Sequence, residues 1–189
     1  MQRCKWCNLK NELYVKYHDE EWCKTNFDDK YLYEMLILES FQAGLSWECV
    51  LNKRENFKIA YDNFDINKVC LYDENKINEL LSNKGIIRNK LKIKASIKNS
   101  IIFKKIIDEY GSFYNYLKNF TNGKILYEVD KTTNDLSDNI SKDLQKRGMK
   151  FVGSTIIYSY LQAIGIIYSH EKECYLFKYR FKIDMSHVN

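Results

Sequence analysis

The chain has 189 residues, of which 45% are hydrophobic, and a formal net charge of +5; this length fits one domain. No apolar run approaches the roughly 18 residues of a membrane span, and the N-terminus MQRCKWC lacks the apolar segment of a secretory signal. These features predict a soluble intracellular protein of the cytoplasm that has no membrane partner. Its six cysteines are then expected to be free thiols or metal ligands rather than disulfides.

The first part of the chain is predicted to contain a short helix followed by a central apolar one. The short helix covers about residues 11–22 and carries Tyr17 and His18. Asp28 is placed to cap the central helix, which runs to about Gly44, a residue that favours a helix stop.

One carboxylate lies on the apolar face of this central helix. The spacing i, i+3, i+4, i+7, i+11 puts five residues on one face: Leu32, Met35, Leu36, Glu39 and Ala43. Glu39 is either a half-exposed residue at the edge of the stripe or the floor of a pocket, where a charged carboxylate needs a polar or cationic partner. Gln42, Gly44, Leu45 and Trp47 follow it and resemble the rim of a binding site, which favours the pocket.

Helical patterns continue through the rest of the chain. Ser46 can cap a helix that leads toward Phe64, and further helices are predicted at about 73–82, 87–111 and 112–120. Residues 121–135 are polar and are predicted to form a surface loop, with no convincing strand although 125–129 is ambiguous. The predicted fold class is all-α.

Two segments concentrate basic residues. Residues 88–98 contain five Lys or Arg residues, and residues 142–150 contain four. Such runs are typical of a solvated helix face, and they are also compatible with nucleic-acid contact.

The clearest supersecondary unit lies at residues 137–165. An amphipathic helix at 137–147 is joined by the connector 149–153 to an apolar helix at 154–164. The backbone N–H groups of Gly153, Ser154 and Thr155 would then lie at a helix N-terminus beside Lys150, where they can bind a DNA phosphate. An ordinary helical hairpin, which also favours glycine in its turn, explains the pattern equally well.

Metal-ligating residue types stand near both ends of the chain. His170 and Cys174 are four residues apart, so that on a helical turn both side chains point the same way. Near the N-terminus stand Cys4, Cys7 and His18. One pair from each end would give the closed tetrahedral N/S set of a structural zinc site that joins the two ends. Buried free cysteines are the alternative.

Several longer motifs resemble one family. They are RCKW at 3–6, YHDEEW at 17–22, LESFQAGLSW at 38–47, KRENF at 53–57, GIIRNKLKI at 85–93 and RGMKFVGSTIIYSYLQAIG at 147–165, followed by His170-x-x-x-Cys174. In order and separation they resemble the 3-methyladenine DNA glycosylase I family of the helix-hairpin-helix superfamily, over residues 1–174.

The resemblance implies a fold, a metal and an activity. The fold would be one glycosylase domain over residues 1–189, built as two helical lobes with a helix-hairpin-helix unit at about 137–165. The activity would be base-excision repair: extrusion of 3-methyladenine from alkylated double-stranded DNA and hydrolysis of its N-glycosidic bond, without a Schiff-base lysine. The implied ligands of a structural Zn²⁺ are Cys4, His18, His170 and Cys174, which leaves Cys7 as a spare thiol. We further expect a monomer.

The resemblance also implies site roles. Glu39 would recognise the base as a dry anion, between the aromatic walls Tyr17, Trp22 and Trp47, with Trp6 nearby. Gly44 and Leu45 would enter the duplex, and the hairpin around Gly153 would hold its backbone. One departure is the segment Cys23-Lys24-Thr25, where the family has glycine and a Val-Pro-like pair. The rival interpretations are a non-catalytic zinc-stabilised DNA-binding module and a glycosylase for another base lesion.

Overall fold

The computed structural model describes residues 1–177, and most of them are helical. The helices are α1 Glu12–Glu20, α2 Asp29–Gln42, α3 Trp47–Leu51, α4 Arg54–Ala60, α5 Ile66–Val69, α6 Glu74–Ser82, α7 Lys90–Tyr110, α8 Phe113–Thr121, α9 Asp135–Lys146 and α10 Ser154–Ala163, with a 3₁₀ turn at Asp62–Phe64. No helix among these residues combines the length and apolarity that crossing a membrane requires. Most of the C-terminal tail, to which the sequence analysis assigns no pattern, lies outside the described residues.

Helix α2 is the centre of the core, because α10, α7, α3 and α8 all pack against it. Every residue from 32 to 41 is buried. The predicted stripe residues Leu32, Met35, Leu36 and Glu39 are all buried. Burial also extends beyond the stripe to residues such as Ile37 and Leu38, so the helix is enclosed on nearly all sides. The predicted cap is confirmed, since the Asp28 carboxylate accepts a hydrogen bond from Tyr31 N at 3.1 Å.

The prediction that the fold has no strand is wrong in one place. Strand β1, Leu126–Tyr127, pairs in parallel with β2, Ile167–Tyr168. The backbone N–H of Leu126 donates to Ile166 O at 2.9 Å, and that of Glu128 donates to Tyr168 O at 3.0 Å. A two-residue strand has too little side-chain pattern to be detected, because its stability comes from a partner far along the chain.

The predicted helical hairpin is present as α9, residues 147–153 and α10. Asn134 caps α9 in a capping box with Ser137. The turn is held to α7 by Asn99, whose amide donates to Lys150 O at 2.8 Å and accepts from Lys150 N at 2.9 Å. A buried side chain thus fixes the backbone of an otherwise exposed turn.

Candidate active site and metal cluster

A cavity of about 330 Å³ opens beside the C-terminal half of α2. It brings together the predicted acid and all four predicted aromatic residues. The aromatic lining consists of Trp6, Tyr14, Tyr17, Trp22 and Trp47, and α2 contributes the polar residues Glu39 and Gln42. The remaining lining residues are Asp130, Lys131, Ser159, Gln162, Ser169 and Glu171. The site is therefore assembled from α1, α2, α3, α10 and the loops near both ends of the chain.

Among residues 1–177, the Glu39 carboxyl is buried in this cavity without a salt-bridge partner. The residue is 2% exposed, and none of these residues forms a hydrogen bond with its Oε2 atom. Burial raises the pKa of this carboxyl well above its ordinary value and so favours the neutral form of the side chain. The expectation of a charged carboxylate assumed a polar or cationic partner, which the described residues do not supply to Oε2.

Two further polar atoms of the cavity are buried without a hydrogen-bond partner among residues 1–177. They are Gln42 Oε1, an acceptor, and Trp47 Nε1, a donor. Buried polar atoms are nearly always hydrogen-bonded in folded proteins, so these groups are available to a polar ligand in the cavity. The sequence placed Gln42 at the rim of the predicted pocket, and its position three residues after Glu39 puts it on the same side of the helix.

The aromatic side chains pack against one another around the acid. Tyr17 and Trp47 have ring centroids 5.3 Å apart, and Trp6 lies 4.6 Å from Trp22 in an edge-to-face arrangement. Tyr14, which the sequence analysis did not assign to the site, packs 5.2 Å from Trp6. Because each ring is held by another, the walls are set before any ligand enters.

The four predicted metal ligands come together in one buried cluster. The ligand atoms of Cys4, His18, His170 and Cys174 lie within 4.8 Å of one another. Cys174 Sγ is 3.5 Å from both His18 Nε2 and His170 Nδ1, and Cys4 Sγ is 3.5 Å from His170 Nδ1. These residues could hold a metal ion. Cys7 lies outside the cluster, with its thiol directed toward Tyr14 O.

A second layer of polar contacts orients the cluster. His18 Nδ1 lies 2.8 Å from Asp19 Oδ1, and Arg3 binds the same carboxylate through Nε and Nη2. Glu171 N donates to Cys4 Sγ at 3.4 Å. Such outer contacts fix the ring orientation of a ligating histidine. Asp19 and Arg3 were missed, because a pair 16 residues apart leaves no sequence pattern.

The cluster and the cavity share a wall. Trp22 packs edge-to-face on His170 with ring centroids 4.7 Å apart, and Trp6 lies 5.3 Å from His18. Residues 170–174 form turns rather than the predicted helical turn, and Tyr175 N donates to Gln2 O at 2.9 Å. The cluster thus joins both ends of the chain directly behind the aromatic wall.

The segment that departs from the family motif adopts a tight turn. Cys23 has φ 60°, a left-handed conformation that suits glycine, and its backbone N–H donates to Gln162 O at 3.1 Å. A Cβ on Gly165 would lie 2.5 Å from Lys24 C and Thr25 N. The turn therefore keeps the shape that glycine would allow and packs closely against the end of α10.

The predicted DNA-contacting residues lie at two surface sites. Gly44 has φ +74° in the turn after α2, and Leu45 is 42% exposed. Lys150, Gly153 and Thr155 are exposed at the hairpin, where Gly153 is the N-cap of α10 and provides no side-chain cap. The Ser154 hydroxyl is already engaged by Asp138 and Ser137, so its N–H rather than its hydroxyl is the group available to a phosphate.

Comparisons with known proteins bear on this arrangement. A family model described as methyladenine glycosylase matches residues 6–178. The chain belongs to this family. DNA-3-methyladenine glycosylase 1 of Escherichia coli (strain K12) is 41% identical over 181 residues, which cover 92% of this chain and 96% of that protein.

Solved structures agree in both fold and family. A crystal structure of 3-methyladenine DNA glycosylase I has a TM-score of 0.87 at 39% identity and covers 92% of this chain and 98% of its own. The Staphylococcus aureus 3-methyladenine DNA glycosylase I, studied for the structural basis of 3-methyladenine recognition, has a TM-score of 0.87 at 32% identity. The match covers 92% of this chain and 97% of that one. The predicted family is confirmed.

Proposed function

We propose that this methyladenine glycosylase is a DNA-3-methyladenine glycosylase of base-excision repair, which hydrolyses the bond between the damaged base and deoxyribose. The comparisons confirm this class of enzyme, since the family model and relatives that cover most of the chain all carry this activity in their names. One observation of the chain itself carries the proposal: a buried carboxyl, Glu39, lies in an aromatic cavity without a salt-bridge partner among residues 1–177.

The cavity suits a cationic purine. A 3-methylated adenine in DNA carries positive ring charge, and indole and phenol faces attract a cation by roughly 0.5–2 kcal/mol per contact. Entry of this cation favours the ionised form of Glu39, and a pair at 4 Å in a medium of effective dielectric constant 20 gains about 4 kcal/mol. Gln42 Oε1 can accept from the exocyclic amine, and Trp47 Nε1 can donate to a ring nitrogen. Undamaged adenine has no charge and gains little from the acid.

Bond cleavage needs little help from the protein once the base is bound. Water attacks C1′ as the bond to the base breaks, the electron pair leaves with the base and neutralises its ring, and the proton that the attacking water loses passes to solvent. No general acid is required for this leaving group. Within residues 1–177, Lys131 is the one lysine lining the cavity, and its Nζ is 2.5 Å from Glu128 Oε1. This supports a monofunctional enzyme without a Schiff-base intermediate.

The four-residue cluster would hold a structural Zn²⁺. Two cysteines and two histidines are donors that zinc prefers, and tetrahedral bonds of normal length put a sulfur and a nitrogen ligand about 3.6 Å apart. The 3.5 Å separations in the cluster fit that value. All four positions would be filled by protein, so the ion would supply no catalytic water. Its contribution would be to join the two ends of the chain behind Trp22.

Double-stranded DNA would contact two surfaces of a monomer. We assign the α9–α10 unit as a helix-hairpin-helix motif, whose exposed N–H groups at residues 153–155 and the Lys150 ammonium bind backbone phosphates. Leu45, on the turn after α2, would occupy the space that the extruded nucleotide leaves. An enzyme of this kind would act on the DNA inside the cell.

The test is base release from methylated duplex DNA, combined with metal analysis. The wild-type protein should release free 3-methyladenine, identified by chromatography, and should contain one zinc per chain. Duplex binding without release would favour the non-catalytic module, and release of a different base would identify a glycosylase for another lesion.

A further inference from the structure

The Lys92 ammonium is buried, and its hydrogen-bond acceptors among residues 1–177 are main-chain carbonyls. Lys92 belongs to the basic run 88–98, which the sequence analysis interpreted as a solvated face or a nucleic-acid contact, yet the residue is 7% exposed. Its Nζ donates to Phe41 O at 2.9 Å and to Ala43 O at 2.5 Å. No carboxylate of residues 1–177 forms a salt bridge with it. A buried ammonium with neutral partners is costly, so its position calls for a physical explanation.

The two carbonyls mark the point where α2 ends. The helix stops at Gln42, Ala43 has φ −46° and ψ 115°, and Leu45 N donates to Gln42 O at 2.6 Å. The last carbonyls of a helix lack intrahelical partners and carry the negative end of its dipole, which favours a cation there. Lys92 therefore fixes the direction in which the chain leaves α2, and with it the turn that carries Gly44 and Leu45.

The same face of α7 also holds the hairpin. Lys92 Nζ lies 5.9 Å from the centroid of the Phe151 ring, and Asn99, two turns further along, binds both backbone polar groups of Lys150. Residues seven apart share a helix face. Helix α7 is thus the element that sets the position of the Leu45 turn relative to the hairpin.

We propose that Lys92 is a positioning residue for base extrusion: by capping α2 it holds Leu45 where it must enter the duplex as the nucleotide turns into the pocket. This inference rests on the proposed function. It predicts that Lys92 matters for duplex DNA and not for a base that is already free, because the pocket itself contains no atom of Lys92.

The experiment compares Lys92→Met, which keeps an unbranched apolar stem but removes the donors, with Lys104→Met. Lys104 lies on the same helix with its side chain 46% exposed and 3.8 Å from Asp108. Two quantities are measured: the single-turnover rate of 3-methyladenine release from duplex DNA, and the affinity for free 3-methyladenine by tryptophan fluorescence. Lys92→Met should lose at least tenfold in rate and stay within twofold in affinity, whereas Lys104→Met should match wild type in both.

A double-mutant cycle with Leu45→Ala separates positioning from general stability. When residue 45 has no side chain to insert, Lys92→Met should lower the rate by less than twofold further. If Lys92→Met does not fold, Lys92→Arg replaces it in the cycle, since the bulkier guanidinium displaces the same turn.

Several outcomes overturn the proposal. The first is a wild-type rate of base release in Lys92→Met, and the second is an equal loss of release rate and free-base affinity in that variant. The third is a full tenfold loss of rate when Lys92→Met is added to Leu45→Ala, and the fourth is failure of both Lys92 variants to fold. Absence of base release by the wild-type protein would instead refute the proposed function.

Discussion

Replacing Glu39 with glutamine should stabilise the protein while it removes activity. The carboxyl keeps its proton in the empty pocket because burial raises its pKa well above 4.5, the value at which it titrates in the unfolded chain. Above pH 4.5 the unfolded state therefore releases a proton that the native state retains, so the free energy of unfolding falls by about 1.4 kcal/mol per pH unit. Glutamine has nearly the same shape and does not titrate. The difference in stability between the variant and wild type should therefore shift in favour of the variant as the pH rises above 4.5.

The assay is urea unfolding of wild type and Glu39→Gln at pH 4.5, 5.5, 6.2 and 7, with the metal content of the two proteins matched. The stability difference should grow with pH in favour of the variant. Base release from methylated DNA should fall about 100-fold or more, which corresponds to about 2.7 kcal/mol of lost interaction with the cationic base.

Glu34→Gln is the matched control on the same helix. Glu34 is also buried, but Arg54 Nε donates to its Oε1 at 2.6 Å, so its replacement weakens a buried ion pair and should destabilise the protein at pH 7 by about 1–3 kcal/mol. Parallel pH profiles for wild type and Glu39→Gln would refute the reasoning, because they would mean that the Glu39 carboxyl is ionised and solvated in the empty pocket.

The remaining predictions concern the cluster, a close packing contact and the hairpin. Cys174→Ser should lose most of the bound metal. Because Trp22 packs on His170, the variant should also bind free 3-methyladenine more weakly. Full metal content by mass spectrometry would contradict the assignment of Cys174 as a metal ligand. Gly165→Ala should lower the free energy of unfolding by about 3 kcal/mol or more, because the added Cβ would meet the backbone of Lys24. Gly123→Ala has a similar φ but open space around its Cβ, so it should cost only about 1–2 kcal/mol for the left-handed backbone. Equal losses in urea unfolding would show that the contact with Lys24 is unimportant. Gly153→Asp should weaken duplex binding and flatten its salt dependence without changing free-base affinity, and an unchanged salt slope would remove the hairpin from the interface.

Local signals predicted several helix starts. Asp28 and Ser46 each cap the helix that the sequence assigned to them, because a capping side chain bonds to backbone groups within three residues. The helix predicted from Ser46 toward Phe64 is instead divided into α3, α4 and a 3₁₀ turn. The strand pair at 126–127 was missed because its hydrogen bonds join distant segments, and no local pattern of two residues can indicate such a partner. The same limit applies to Lys92, whose burial depends on carbonyls some 50 residues earlier in the chain.

The sequence predicted most residues of the candidate site but not the protonation of its acid. The residues that follow Glu39 in the sequence were the signal that placed it in a pocket. The apolar stripe added little, because α2 is buried on nearly every face. Its protonation depends on the tertiary structure: within residues 1–177 no cation pairs with it, since Lys131, which also lines the cavity, is bound to Glu128. The sequence could therefore indicate an acid in an aromatic pocket, while only the assembled structure indicates that burial favours its neutral form.

This neutral state changes how selectivity arises. A permanent anion in a dry pocket would destabilise the folded protein and would attract any cation, including a metal ion or a lysine side chain. A protonated Glu39 avoids both, and it becomes an acceptor for the exocyclic amine only when a positively charged ring offsets the cost of losing the proton. The enzyme thus distinguishes a charged base from a neutral one because only the charged base favours ionisation of Glu39. The aromatic walls can be held rigidly by their packing on His18 and His170, because recognition requires a proton to leave rather than a side chain to move.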